Sequence, residues 1–177
     1  MTTPTTTFAE LEAAAPAIGR AIRARIEATG LSFVATTRSD GWPRVSGWEL
    51  FVCEGRLYVG SMPNAVKVQD LRRDPRCCVV TTLADKDDTS GEGKLFCVAR
   101  EIVDADEWET ARKTFQEIRD FDMGPPGGGH LFELAVHGAA WQRVEDGDHF
   151  RTSSWVAGQP VRERQRTGAL GESEELT

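Results

Sequence analysis

Between Leu31 and Ser61 apolar residues recur at every second position, and this alternation limits the folds open to the chain more than any other feature. The runs LSFVATTR, PRVSGWELFV and RLYVGS are rich in β-branched and aromatic residues, and SDGW and CEG separate them. Asp-Gly and Glu-Gly pairs suit tight hairpin turns, so the stretch reads as a meander of three antiparallel strands. RCCVVTTL and KLFCVAREIV add two more, and HLFELAVHGAAWQRV with HFRTSSW forms a last hairpin around EDGD. Six or seven antiparallel strands in an open sheet would expose long edges to non-specific pairing. The economical architecture is therefore a small β-barrel with flanking helices, mostly β and α+β in class.

Three helices accompany the strands. Thr7 and Glu10 form an S/T-x-x-E capping box, and Phe8, Leu11, Ala15, Ile18, Ile22 and Ile26 follow at helical spacing, which predicts one helix over 8–29 ended by Gly30. A short basic helix runs from Asn64, its expected N-cap, to Arg73, and Pro75 stops it. Asp104 and Glu107 predict a capping box for the third, whose buried stripe is Trp108, Ala111, Phe115 and Ile118 and whose end is set by MGPPGGG. Residues 1–162 read as a single domain. The rest, 163–177, is polar and aperiodic, and is expected to be a flexible tail or an arm that orders on a partner.

At 177 residues the chain can bury one substantial core. No apolar run approaches the roughly 18–20 residues of a membrane span, and the N-terminus lacks the regions of a signal peptide, so a cytoplasmic location is the expectation. A formal charge of −7, from 28 acidic and 21 basic residues, argues against a general grip on nucleic acid or anionic membrane. Cys53, Cys77, Cys78 and Cys97 sit in apolar strand-like runs with no CxxC pair, and read as free, core-type thiols rather than metal ligands. His130, His137 and His149 are too scattered to suggest a metal site.

One cation stands out. With Asn64 as N-cap, Lys67 falls in the first turn of the basic helix, where the macrodipole disfavours it. Free backbone N–H groups, the Ser61 hydroxyl and the Lys67 ammonium together suit a phosphate. Arg72 and Arg73 lie in the last turn, where cations are favoured, and read as a solvated helix end near Asp70 and Asp74. Alternation puts Arg44, Ser46, Trp48 and Leu50 on one strand face, one hairpin away from Ser61. Two cations and hydroxyls converging on a helix start suggest a phosphate-bearing ligand.

The order of these segments resembles the flavin-binding split-barrel family, the pyridoxamine 5′-phosphate oxidase-like proteins that include the actinobacterial deazaflavin (F420)-dependent reductases. The resemblance rests on D-G-x-P-R-V at Asp40–Val45, the hairpin GRLYVGS, and Lys67 shortly before LRRDPR, and extends more weakly to about residue 162. It implies a homodimer of six-stranded antiparallel split barrels with FMN or F420 in grooves at the interface. By resemblance Arg44, Val45 and Ser46 flank the ring and phosphate, Ser61 and Lys67 form the phosphate turn, Thr81 and Thr82 lie near the groove, and Trp155 is the C-terminal aromatic near the ring. This chain has Val66 where relatives often carry a second cation, Gly47 where Pro is frequent, and Ala99 where Gly is common.

The activity so implied is hydride transfer to or from a small molecule, with the cofactor carrying the chemistry and no catalytic acid or base required. The alternatives are a non-catalytic protein that holds flavin or haem, and a structural dimer with a lapsed site. The segments 84–93 and 124–130 are expected to border the groove.

Overall fold

A computed structural model of the chain describes residues 3–83 and 88–176. The predicted first helix is two, α1 (Phe8–Ala14) and α2 (Pro16–Thr29), which meet at Ala15. Pro16 lacks the N–H needed to continue α1 but is well suited to the first position of α2. The capping box is present, with Thr7 Oγ1 accepting from the Glu10 N–H and the Glu10 carboxylate accepting from the Thr7 N–H at 2.8 Å. Every residue of the predicted stripe is buried, and Gly30 ends α2 in the left-handed region.

The strands β1 (Ser32–Thr37), β2 (Pro43–Trp48), β3 (Leu50–Cys53) and β4 (Arg56–Ser61) follow, then α3 (Val66–Arg73), β5 (Arg76–Thr81), β6 (Glu92–Glu101) and α4 (Ala105–Arg119). The chain finishes with β7 (His130–Glu145), β8 (His149–Val156), β9 (Arg162–Thr167) and β10 (Ser173–Glu175). All pairings are antiparallel. The run Pro43–Cys53 pairs with β1 up to Trp48 and with β4 from Leu50, while β4 pairs with β7, β7 with β6, β6 with β5 and β5 with β1. Counting β2 and β3 as one continuous run, six strands close a ring.

The long strand β7 serves three partners on one edge. Its start pairs with β4, its end with β8, and between them Thr6 exchanges two backbone hydrogen bonds of 2.8 Å with Val136. A bulge at His137 shifts the register between β6 and β7, so that Phe132, Leu134 and Val136 before it and Ala139 and Trp141 after it all reach the same core. Residues 163–176 depart from the expected tail. β9 pairs along β8, and β10 pairs along β9. The segment has no apolar face to reveal a strand, and side-chain bonds help hold it, among them Ser153 Oγ to Glu163 at 2.9 Å and Arg151 to Gln165 at 2.8 Å.

Helices α1, α2 and α3 bury their apolar faces in the main core with the inward residues of the ring. α4 covers the outer face of β3 and β4, where Trp108, Ala111 and Phe115 meet Phe51, Cys53, Tyr58 and Leu131. Asp104 caps α4 as predicted, but the Glu107 carboxylate does not complete a box, because it is taken by Arg100 at 2.6 Å and by the Tyr58 hydroxyl at 3.0 Å. Ile118 falls beyond the buried stripe and is exposed. No helix is long and apolar enough to cross a membrane among the described residues.

Two hairpin glycines separate backbone strain from crowding. Gly55 (φ +74) and Gly147 (φ +84) both follow a residue of positive φ, but a Cβ at Gly55 would lie 2.8 Å from Ala9 Cβ, whereas one at Gly147 would meet nothing within 4 Å. In urea denaturation Gly147→Ala is expected to cost about 1 kcal/mol from its left-handed backbone alone. Gly55→Ala should cost roughly 2–4 kcal/mol, because overpacking adds to the same strain.

Candidate functional site

After β4 ends at Ser61 the chain turns through Met62–Ala65 into α3. Asn64 adopts a left-handed conformation (φ +62) and makes the turn, so it lacks the extended backbone of a cap. The N-cap is Ala65, which brings no capping side chain. The first-turn N–H groups of α3 therefore have no side-chain acceptor, and Lys67 is the second helical residue. Its Nζ lies 3.9 Å from the centre of the Trp48 ring, and no carboxylate pairs with it among the described residues. Burial pushes the ammonium pKa down, and the helix N-terminus works in the same direction, while the aromatic face favours the charge.

A cavity of about 470 Å³ opens beside this turn. Trp48, Ser61 and Lys67 form one wall, and Trp108, Phe115, Phe121 and Met123 form the other. Gly128 and Gly129 complete it, and a Cβ at Gly129 would come within 2.9 Å of the Ser61 carbonyl oxygen. Ser61 Oγ and Trp48 Nε1 are both buried without a hydrogen-bond partner. Buried polar atoms are seldom left so, and both of these belong to residues that line the cavity. His130, which also lines the cavity, stands opposite Ser61 across the β4–β7 ladder. Its Nδ1 lies 3.1 Å from Glu101 Oε1, and Arg72 grips Glu101 through two bonds of 2.8 and 2.6 Å. The bonds from Arg72, then His130, hold the Glu101 carboxyl below its usual range against the opposing effect of burial.

Of the residues singled out in the sequence, the structure brings Ser61 and Lys67 together on this wall and distributes the others elsewhere. Arg44 is inward-facing and half-buried, but its Nε donates to Asp70 Oδ2 at 2.6 Å. Ser46 lies between Arg44 and Trp48 on the same face, half-buried and off the cavity wall. Val45 points outward and is 63% exposed. Thr81 is buried under α2, its Oγ1 accepting from the Gly93 N–H at 2.8 Å, and Thr82 Oγ1 donates to the Leu31 carbonyl at 3.3 Å. Trp155 is buried in the main core on β8, opposite Ala139. Gly128, Gly129 and His130 belong to the segment expected to border the groove. Of the other such segment, residues 84–87 lie outside the described residues, and Ser90 and Gly91 are held against α2 by Arg25.

Trp48, Phe121 and Met123 are not among the site residues expected from the sequence, and His130 is expected only as the end of a groove-bordering segment. Only the register of β4 on β7 brings His130 to Ser61, and nothing local in either segment signals it. Among the described residues no group of three or more His, Cys, Asp or Glu side chains is placed to hold a metal ion. The thiols of Cys77 and Cys97 face each other across β5 and β6, and their hydrogen bond together with burial pushes the Cys97 pKa well up, which keeps it protonated and inert.

The ring of strands, the helix after β4 and α4 over the outer face define an antiparallel split barrel of the pyridoxamine 5′-phosphate oxidase-like fold. No protein-family profile and no curated protein matches the chain. Solved structures do. A Clostridium acetobutylicum protein related to general stress protein 26 of B. subtilis, of the pyridoxinephosphate oxidase family, superposes with a TM-score of 0.58 at 11% identity, over 76% of this chain and 90% of its own. Campylobacter jejuni ChuZ gives 0.68 at 11% identity, over 89% of this chain and 65% of its own. A heme binding protein from Mycobacterium smegmatis gives 0.56 at 20% identity, over 84% and 57% respectively. At these identities the likeness is one of fold.

Asp70, with a side chain only 3% exposed, ties the start of β2 to α3 by accepting from Arg44, from Thr36 Oγ1 at 3.0 Å and from Arg73 at 3.3 Å. Burial alone would raise its pKa, but the bonds from Arg44, Thr36 and Arg73 prevail and hold it below the ordinary 3.8. Its contribution to stability is therefore complete above that pH and fades as the pH falls through the lower folded-state value. Asp70→Asn should cost roughly 2–3 kcal/mol at pH 7. The gap between the unfolding curves of the two proteins should begin to narrow as the pH drops below 3.8 and close once it is below the lower folded-state value.

Proposed function

We propose that the chain is an oxidoreductase of the pyridoxamine 5′-phosphate oxidase-like class that holds FMN or F420 in the cavity beside α3 and acts on a small molecule in the cytoplasm by hydride transfer. The observation that carries this reading is the unpaired Lys67 ammonium meeting the orphaned Ser61 hydroxyl and the uncapped start of α3 on one wall. That set suits a phosphate, which both the amides of a helix start and a cation favour. The aromatic and thioether side chains opposite suit a flat ring, and the volume is within the usual range of roughly 300–1,000 Å³ for small-molecule sites. Bound FMN or F420 would supply the hydride chemistry, while Lys67, Ser61 and the α3 amides hold its phosphate and Trp48, Phe115 and Phe121 exclude water from the ring. Arg44, engaged by Asp70, reaches the phosphate only if that pair opens, so the grip rests mainly on Lys67.

Homodimerisation is part of the proposal. Val45, Ala35, Cys78, Phe96, Gly138 and Val156 stand opposite one another in register across β2, β1, β5, β6, β7 and β8, forming one outward-facing apolar row. Phe33 adds to it from the next row, and a face of this size on a lone protomer would invite association. The second reading is a haem-holding protein without turnover. It is favoured by His130, whose Nε2 has no protein partner on the cavity wall and so could ligate iron, and it gains a precedent of fold from the M. smegmatis protein.

Side-by-side titration of FMN, F420 and haem decides between these readings. FMN or F420 should raise the melting temperature, and Lys67→Ala should weaken that binding about tenfold or more, the loss of one charge-assisted contact. No thermal shift with either compound, together with a Soret band on haem addition, would support the second reading. Light scattering should give the mass of a dimer for the native chain and of a monomer for Phe96→Glu. A native monomer at micromolar concentration would rule out the shared interface.

A further inference from the structure

This step rests on the reading of the Lys67 cavity as a flavin or deazaflavin site. We infer that His130 is the catalytic proton-transfer residue of that cavity, with Glu101 as its positioning residue and Ser61 as the hydroxyl it faces. Three observations lead to it. Arg72 forks onto both oxygens of Glu101, at 2.8 and 2.6 Å, fixing the carboxylate and its ionised form. An ionised carboxylate only accepts, so a neutral imidazole that bonds to Glu101 at 3.1 Å, in preference to the longer 3.3 Å approach of the Arg72 terminal nitrogen, presents Nδ1–H to it and keeps its lone pair on Nε2. Nε2 has no partner among the described residues, and His130 is one of the residues that line the cavity.

The third observation is the register. Ser61 and His130 are directly opposed residues of β4 and β7, so their side chains project from the same face of the sheet beside Lys67. The charged groups against the imidazole are Glu101 from β6 and Arg72 from α3, whose terminal nitrogen is 3.3 Å from Nδ1.

The step such a residue serves is the second half of a hydride reduction. Were a flavin or deazaflavin bound there to supply a hydride, with its two electrons, to a carbonyl or quinone acceptor, the acceptor's oxygen would take its proton from Nε2–H of the imidazolium. The neutral ring left behind is reprotonated from water, so charge and atoms balance. Lys67 is reserved for the phosphate, which leaves His130 as the proton carrier on the same wall.

The full-length chain can be tested with menadione as the probe acceptor. Long-range ¹H–¹⁵N correlation spectra should show neutral His130 with its proton on Nδ1, and Glu101→Gln should abolish that preference. FMN or F420 affinity of His130→Gln should stay within about twofold of the native chain. Single-turnover oxidation of the reduced, loaded protein by menadione should slow as pH rises from about 6 to 9. In His130→Gln it should be pH-independent and on the order of 100-fold slower at the acid end. Glu101→Gln should lie between the two, roughly 10-fold slow with a displaced profile.

A neutral ring protonated on Nε2, or a native pH profile in His130→Gln, overturns the inference, as does a haem Soret shift that His130→Ala abolishes. Failure of the native chain to bind either cofactor overturns the underlying reading as well, whereas normal binding with an unaltered profile overturns this inference alone.

Discussion

The architecture depends on one exchange of hydrogen-bonding partner. Along Pro43–Cys53 the side chains alternate without interruption, yet the backbone leaves β1 after Trp48 and takes up β4 at Leu50. Trp48 and Leu50 stay inside the ring, while Phe51 and Cys53 on the outer face pass under α4. Without that change β2 and β4 would be two open edges, each a template for unwanted pairing. The cavity lies along this seam, with Trp48 at the crossover, and so its aromatic wall is held by strand backbone rather than by a loop.

Electrostatics then decide which cations are available there. Most of the arginines around the ring are committed: Arg44 and Arg73 to Asp70, Arg72 to Glu101, and Arg56 and Arg100 to the buried Glu133. Such partnered guanidiniums act as staples between elements. Lys67 is the exception on the cavity wall, a compact charge on a flexible stem that can shift toward an arriving anion, whereas a forked arginine cannot do so without breaking its pair. A protein carrying a formal charge of −7 thus places a lysine at the helix start beside this cavity, which Glu49 also lines.

Much of the fold could be read from periodicity, because a strand buried on one face leaves a period-two trace and its turns leave Asp-Gly and Glu-Gly. Glu54 and Gly55 indeed make a turn with both φ positive. Where burial leaves no trace the sequence carries no such signal: β9 and β10 are polar on both faces and are held by ladder bonds, β9 to β8 and β10 to β9. The arrangement of the candidate site was legible only in part. Ser61 and Lys67 are six residues apart and local chemistry joins them, but His130 reaches Ser61 through strand register, and Arg44 is diverted by Asp70 through a tertiary contact. Pro16 shows the limit of the helical stripe as a signal, since Phe8 to Ile26 can keep one face buried through a break at Ala15.

The bond between Thr6 and Val136 has a kinetic meaning. It joins positions 130 residues apart, and it fills the gap on β7 between β4 and β8. Local hairpins such as β3–β4 and β7–β8 close small loops and can form early, while this bridge carries the loop-closure entropy of nearly the whole chain. The N-terminal segment thereby acts as a latch, and the sheet on that edge is complete only when the two distant parts of the polypeptide have met.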